Sequence, residues 1–173
     1  MTAAEAAEEE VAAGVAEAGK IHKPKGGEMF FPVCIDIENK KCLVIGGGKI
    51  AYKKIKTLSR YNSDITVIAE EIKEEKIREI RNIDIREKRF SDENLREYML
   101  VVAATDDKEL NEEIAAFCIK NNILVNNVTS KNKMNVRFGA ILEDEDYQIL
   151  VSSHGKNCKN SKKLRDEIKN IIK

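Results

Sequence analysis

The sequence predicts an α/β fold, a doubly wound and mostly parallel sheet followed by a small α+β element. Three observations carry this. Strand-like apolar runs alternate with amphipathic helical patterns from Lys41 to Val125. The first run ends in three consecutive glycines and passes directly into a helical pattern. Met99-Leu100-Val101-Val102-Ala103-Ala104 is apolar without a break, as a parallel strand buried on both faces requires. Crossovers between such strands are right-handed.

Each element has its own warrant. Residues 1–28 stand apart: Ala and Glu recur through Ala18, then Lys23-Pro24-Lys25-Gly26-Gly27 follows. With few large side chains to bury, this stretch is expected to be a disordered extension outside the domain that starts at Met29. Phe30-Phe31-Pro32-Val33-Cys34-Ile35-Asp36 reads as an extended lead-in. Lys41–Ile45 is the first strand, and Ala51, Ile55 and Leu58 form one face of the first helix. Asp64–Ala69 is a β-branched second strand, Ile72–Ile80 a charged helix, and Ile83 with Ile85 a short third strand. After Met99–Ala104, Asp106 and Glu109 have the spacing of a capping box. Leu110, Ile114, Phe117 and Cys118 continue that helix, and Ile123–Val125 is the fifth strand. Arg137–Leu142 and Tyr147–Ser152 flank an acidic turn and read as an antiparallel hairpin. Leu164, Ile168, Ile171 and Ile172 mark a terminal amphipathic helix.

The domain division expected from this is 29–128 for a nucleotide-binding, Rossmann-like unit and 129–173 for a dimerisation hairpin with the C-terminal helix. A lone hairpin with Phe138, Ala140 and Leu142 on one face leaves apolar surface and unpaired edges. A second copy is expected to cover them, giving a homodimer. The alternative is that the terminal helix folds back through Leu164, Ile168 and Ile172.

The spacing Gly46-x-Gly48-x-x-Ala51 fits a dinucleotide-binding turn, with Gly46, Gly47, Gly48, Lys49 and Ile50 bordering a pyrophosphate at a helix N-terminus. Glu70, beside Glu71 at the end of the second strand, is placed to accept hydrogen bonds from ribose hydroxyls and to repel a 2′-phosphate, which favours NAD over NADP. Lys49 and Lys73 lie near enough in sequence to meet a phosphate. In a doubly wound sheet this turn comes close to the Thr105–Asp107 loop.

Thirty basic and thirty acidic residues cancel, so no global field selects nucleic acid or a membrane surface. No apolar run has the length of a membrane span, and a cytoplasmic location is expected. Cys34, Cys42, Cys118 and Cys158 show no metal-ligand spacing, and the first three lie in apolar runs that suit buried reduced thiols. His22 and His154 are the only histidines, and His154 with Cys158 is the one close pair. No resident metal is expected.

Five stretches in order carry a resemblance. They are Phe30-Phe31-Pro32-Val33, Val44-Ile45-Gly46-Gly47-Gly48-x-Ile50-Ala51-x-Lys53-Lys54, Ala103-Ala104-Thr105-Asp106-Asp107-x-x-Leu110-Asn111, Val125-Asn126-Asn127-Val128 and Val151-Ser152-Ser153-His154-Gly155-Lys156. From about Met29 to its end, the chain resembles the precorrin-2 dehydrogenases, the NAD-binding portion of siroheme synthases, some of which also chelate iron. The resemblance implies oxidation of precorrin-2 to sirohydrochlorin with hydride passing to NAD, in a homodimer. It implies catalytic groups among Asp106, Asp107 and Thr129. The tetrapyrrole substrate carries many carboxylates, so contacts are expected from Asn126, Lys131, Arg137, Ser153, His154 and Lys156. Ser153 matches a serine that is modified in some relatives.

Two departures stand out. Relatives have an aspartate where this chain has Thr129, and the segment Thr129–Asn135 has no carboxylate at all. A threonine hydroxyl is not a general base near neutral pH. The usual Ser-Pro after the glycine-lysine turn is replaced by Asn157-Cys158. Dehydrogenation survives these changes if orientation supplies most of the acceleration, but iron insertion is not secured. The alternative function is an NAD-sensing or tetrapyrrole-binding module that does no chemistry.

Overall fold

A computed structural model describes residues 30–91 and 94–172. The expected disordered leader, 1–28, and the domain start at Met29 lie outside the described residues.

Five parallel strands form one sheet in the order β3-β2-β1-β4-β5: β1 Lys41–Ile45, β2 Asp64–Ala69, β3 Ile83–Glu87, β4 Leu100–Ala103 and β5 Leu124–Asn127. The chain winds outward from β1 to β3, returns to β4 beside β1, and winds out again. This is the doubly wound architecture, with its reversal of strand order between β1 and β4. Apolar composition explains the central positions: Cys42 to Ile45 and all of β4 are buried, so both faces of these strands need cover.

Two helices supply it. Helix α1, Lys49–Leu58, buries Ala51, Ile55 and Leu58 against the face carrying Cys42, Val44 and Val67. Helix α2, Lys108–Lys120, buries Ile114, Ala115 and Cys118 against the opposite face, with Leu43, Ile45 and Val101. The edge at β5 is closed by the returning chain: Val125 gives its N–H to Asn135 Oδ1 (2.6 Å) and its carbonyl accepts from the Val136 N–H (3.0 Å). That edge is therefore not left open to other strands.

The small element follows as expected. Strands β6, Ala140–Glu143, and β7, Gln148–Val151, pair antiparallel, and helix α3, Cys158–Ile171, packs across both. Glu143 ties the hairpin to the sheet domain by accepting from Arg60 and from the Tyr61 hydroxyl.

Four details differ from the sequence reading. The helix expected over Ile72–Ile80 is one 3-10 turn, Glu75–Ile77. Its two buried residues, Ile72 and Ile77, are five apart, and Glu74 is drawn out in an extended conformation because its N–H bonds to the Gly47 carbonyl (2.9 Å). The cap of α2 is Asp107, not Asp106; its Oδ1 accepts from the Glu109 and Leu110 amides at 2.9 and 3.0 Å. Cys34 is exposed rather than buried, because the lead-in, with exposed Phe31 and Val33, joins no sheet. Finally, α3 does fold back on the hairpin, but it turns Ser161 inward and leaves Leu164 and Ile171 in solvent.

Candidate dinucleotide and substrate site

The three glycines do different work. Gly46 has φ +125°, and a Cβ there would lie 2.2 Å from the Ala104 carbonyl oxygen. A Cβ on Gly47 would lie 2.2 Å from the Glu71 carbonyl oxygen. Both are demanded by the packing of β1 against the neighbouring loops. Gly48 is not: no described heavy atom lies within 4 Å of a Cβ built on it. It caps α1 with extended backbone and no side-chain hydrogen bond to the first-turn amides. Open space in front of a helix N-terminus with exposed Lys49 and Ile50 beside it fits a dinucleotide pyrophosphate.

The loops after β2 and β4 border this turn. Glu70 is exposed at the end of β2, and its Oε1 lies 3.7 Å from Arg89 Nε. Arg89, which sequence reasoning missed, is therefore within reach of any phosphate that Glu70 would meet. Lys73 Nζ pairs with Asp106 Oδ2 at 2.7 Å. Since β2 and β4 flank β1, this ion pair spans the glycine turn. It raises the Lys73 ammonium above its ordinary range through the Asp106 hydrogen bond.

The ends of β4 and β5 are wired together by two fully buried amides, Asn111 and Asn127. Asn111 Oδ1 accepts from the Thr105 N–H (3.1 Å) and lies 2.8 Å from its hydroxyl. Asn111 Nδ2 donates to the Thr105 carbonyl (3.0 Å) and to Thr129 Oγ1 (3.4 Å). Asn127 Oδ1 accepts from the Thr129 N–H (2.9 Å) and hydroxyl (2.8 Å). Both asparagines lie in stretches that carry the resemblance, but the sequence assigned neither a role. The available signal was a polar residue on the buried α2 face that also holds Ile114, Ala115 and Cys118.

The expected substrate contacts fall in a second group. Arg137 donates to the His154 carbonyl (3.1 Å) and the Lys131 carbonyl (2.7 Å) and stacks over the Phe30 ring at 3.9 Å. It thereby brings the Lys131 loop and the Ser153–Lys156 turn together. His154 holds φ +52°, and Lys131 and Lys156 are exposed. The Ser153 hydroxyl donates to the Asn157 carbonyl (2.9 Å) and accepts from the Asn157 N–H (3.0 Å), closing the turn before α3. Asn126 points elsewhere: its amide is buried and donates to the Val136 carbonyl (2.9 Å). Among the described residues no cluster of three or more His, Cys, Asp or Glu could hold a metal. A polar hollow of about 300 Å³ lined by Lys41, Asp64 and Asp84 lies by the opposite ends of the strands, away from where such sheets hold ligands.

An α/β sheet with an open glycine cradle at its switch point defines a dinucleotide-binding protein. The family profile described as putative NAD(P)-binding matches residues 33–140, and the chain belongs to that family. It is 33% identical over 146 residues to the siroheme synthase of Mannheimia succiniciproducens, covering 83% of this chain and 30% of the relative. It is 35% identical over 145 residues to the siroheme synthase of Blochmanniella pennsylvanica, again covering 83% and 30%. The chain thus spans about a third of the length of these curated relatives. Among solved structures it resembles SirC, a precorrin-2 dehydrogenase, with TM-score 0.70 and 26% identity, covering 82% of this chain and 71% of that one.

Proposed function

We propose that this chain oxidises precorrin-2 to sirohydrochlorin and passes the hydride to NAD. The carrying observation is that the open space before Gly48 lies at the same end of the sheet as Thr105 and Thr129, which follow β4 and β5. The likeness to siroheme synthases and to SirC supports the choice of substrate. Residues 29–128 serve the nucleotide and 129–173 the tetrapyrrole and subunit contact.

Bound NAD supplies the hydride acceptor. Gly48 with the first-turn amides at Lys49 and Ile50 would hold the pyrophosphate, on the tight turn that Gly46 and Gly47 make possible. Glu70, with Glu71 beside it, accepts from the ribose hydroxyls and favours NAD over NADP. Thr105, at the end of β4, would lie on the nucleotide side of the site. Lys131, Lys156 and His154 receive substrate carboxylates, Arg137 fixes the loops that carry them, Ser153 shapes that wall, and the expected contact from Asn126 is replaced by its buried bond to Val136. Each oxidation releases one hydride and one proton. Each candidate group already has a partner: Asp106 pairs with Lys73 at an exposed position, Asp107 caps α2 through Oδ1, and the Thr129 hydroxyl donates to Asn127. Solvent water takes the proton, and the substrate's pyrrole system drives hydride departure once oriented.

That same engagement of Asp106, Asp107 and Thr129 favours one second reading, an NAD- or tetrapyrrole-binding module without catalysis. Incubation with precorrin-2 and NAD decides between them. Sirohydrochlorin formation above an NAD-free control supports the enzyme; tight binding without conversion, with activity appearing in Thr129→Asp, supports the module. Iron insertion is not part of the proposal.

A homodimer is part of it. The stripe Leu164 and Ile171 on α3, 48% and 81% exposed, with exposed Leu150 and Tyr147 on the hairpin, is apolar surface that a second copy would bury. The free cysteines suit a reducing compartment, the cytoplasm, and among the described residues no helix is long and apolar enough to cross a membrane.

A further inference from the structure

We infer that Asn111 is a positioning residue for the reaction, holding the Thr105 and Thr129 ends of the crevice in register without touching nucleotide or tetrapyrrole; this rests on the function proposed above. Asn111 is fully buried on the α2 face that otherwise carries Ile114, Ala115 and Cys118. An apolar side chain there would serve the core, and a buried amide is tolerated only when its hydrogen bonds are made.

All of them are. The side-chain oxygen accepts from the Thr105 N–H and shares the single Thr105 hydroxyl proton with the Asp107 carbonyl (2.8 and 2.9 Å), and the two amide hydrogens go to the Thr105 carbonyl and Thr129 Oγ1. Both amide hydrogens and the side-chain oxygen are thereby engaged, a combination of donor and acceptor that an asparagine supplies and that no smaller or isosteric residue does. Asn127 completes the arrangement, since its Nδ2 donates to the Asn111 carbonyl at 3.3 Å while its Oδ1 takes the Thr129 hydroxyl proton. Among the described buried side chains none is left with an unpartnered polar atom.

The consequence is chemical. With its one proton held by Asn127 and one lone pair met by Asn111, the Thr129 hydroxyl can offer the crevice only a lone pair. It accepts a hydrogen bond, such as one from a pyrrole N–H, and does not donate. Asn111 sets that orientation and fixes Thr105 on the nucleotide side at the same time. The glycine cradle is built separately, from Ala104 and Glu71 contacts.

Asn111→Asp is the test, because it keeps the shape and the acceptors and removes both donors. NAD affinity should change by less than about threefold. Turnover of precorrin-2 should fall about tenfold or more, and affinity for sirohydrochlorin, read by its absorbance, should fall about fivefold. Asn111→Asp combined with Thr129→Val should be no worse than Asn111→Asp alone, because both act on one hydroxyl. Unchanged turnover in a folded variant, equal loss of NAD affinity, or losses that multiply would each overturn the inference. If Asn111→Asp does not fold, Thr129→Val alone carries the comparison: sirohydrochlorin affinity should drop with NAD affinity held, and no drop overturns it. Wild-type protein that binds sirohydrochlorin yet turns nothing over removes the oxidation reading instead, and the affinity comparison still reads the positioning.

Discussion

At Gly48 the structure separates two reasons for a glycine that a sequence motif cannot. Gly46 and Gly47 are held by contacts inside the chain, whereas a side chain at Gly48 would meet only space. Gly48→Val should therefore leave the thermal midpoint within about 2 °C while weakening NAD binding about 100-fold, or about 2.8 kcal/mol. Gly46→Ala should instead unfold the domain, losing more than about 3 kcal/mol. Calorimetric titration beside thermal melts checks both, and equal loss of stability in Gly48→Val would make that glycine structural. The Glu70–Arg89 pair gives a second expectation. Glu70→Ser should raise NADP affinity about tenfold, near 1.4 kcal/mol, by removing the repelling charge and releasing Arg89 for the 2′-phosphate. Adding Arg89→Ala should reverse the gain; NADP binding that ignores both changes would mean the ribose lies elsewhere. The positions of Glu70 and the glycine turn, at the ends of β2 and β1, were legible in the sequence through their spacing. Arg89 and the two asparagines were not, because a long-range partner or a satisfied buried amide leaves no periodic mark.

Elements were legible wherever apolar periodicity was strong. All five parallel strands, the hairpin and the three helices α1, α2 and α3 stand where alternation or a 3.6-residue repeat placed them. The reading failed at Ile72–Ile80, where charge-rich composition suggested a helix but a backbone bond from Glu74 to Gly47 holds the chain extended. Between the sheet domain and the small element sits Lys54 of α1, its ammonium 4.1 Å from the centre of the Phe138 ring and facing Cys158 and Lys162 of α3. Burial pulls its pKa from 10.5 down to about 8. Between those values the unfolded chain binds a proton that the folded chain has released, so this group makes stability rise with pH. Cys42 and Cys118, pushed up from 9.0 to about 11 by burial, act in the opposite sense above 9.0. The window from about 8 to 9.0 thus belongs to Lys54. Unfolding free energies from urea titrations there should climb in the wild type, by at most about 1.4 kcal/mol per pH unit, and lie flatter in Lys54→Met. Parallel slopes in the two proteins would contradict the assignment.

For the whole molecule, the sequence indicated that the last third needs cover but not which surface provides it. The terminal helix covers the hairpin through its Ser161 side, and the larger apolar residues Leu164 and Ile171 face outward. This makes the dimer a matter of the outer stripe. Light scattering should give twice the chain mass, and Leu164→Asp with Ile171→Asp should give the monomer with an unchanged circular dichroism spectrum. A wild-type monomer with full NAD affinity would remove the dimer from the account. In the proposed function the glycine cradle and the loops bearing Thr105 and Thr129 act together as one oxidising site. The most direct test of this is a single-turnover mixture of enzyme, NAD and precorrin-2 in which NADH and sirohydrochlorin are followed together. One NADH should appear for each sirohydrochlorin formed, at the same rate, and both should vanish in Gly48→Val. Sirohydrochlorin formed without NADH, or bound tetrapyrrole that yields neither product, would contradict it.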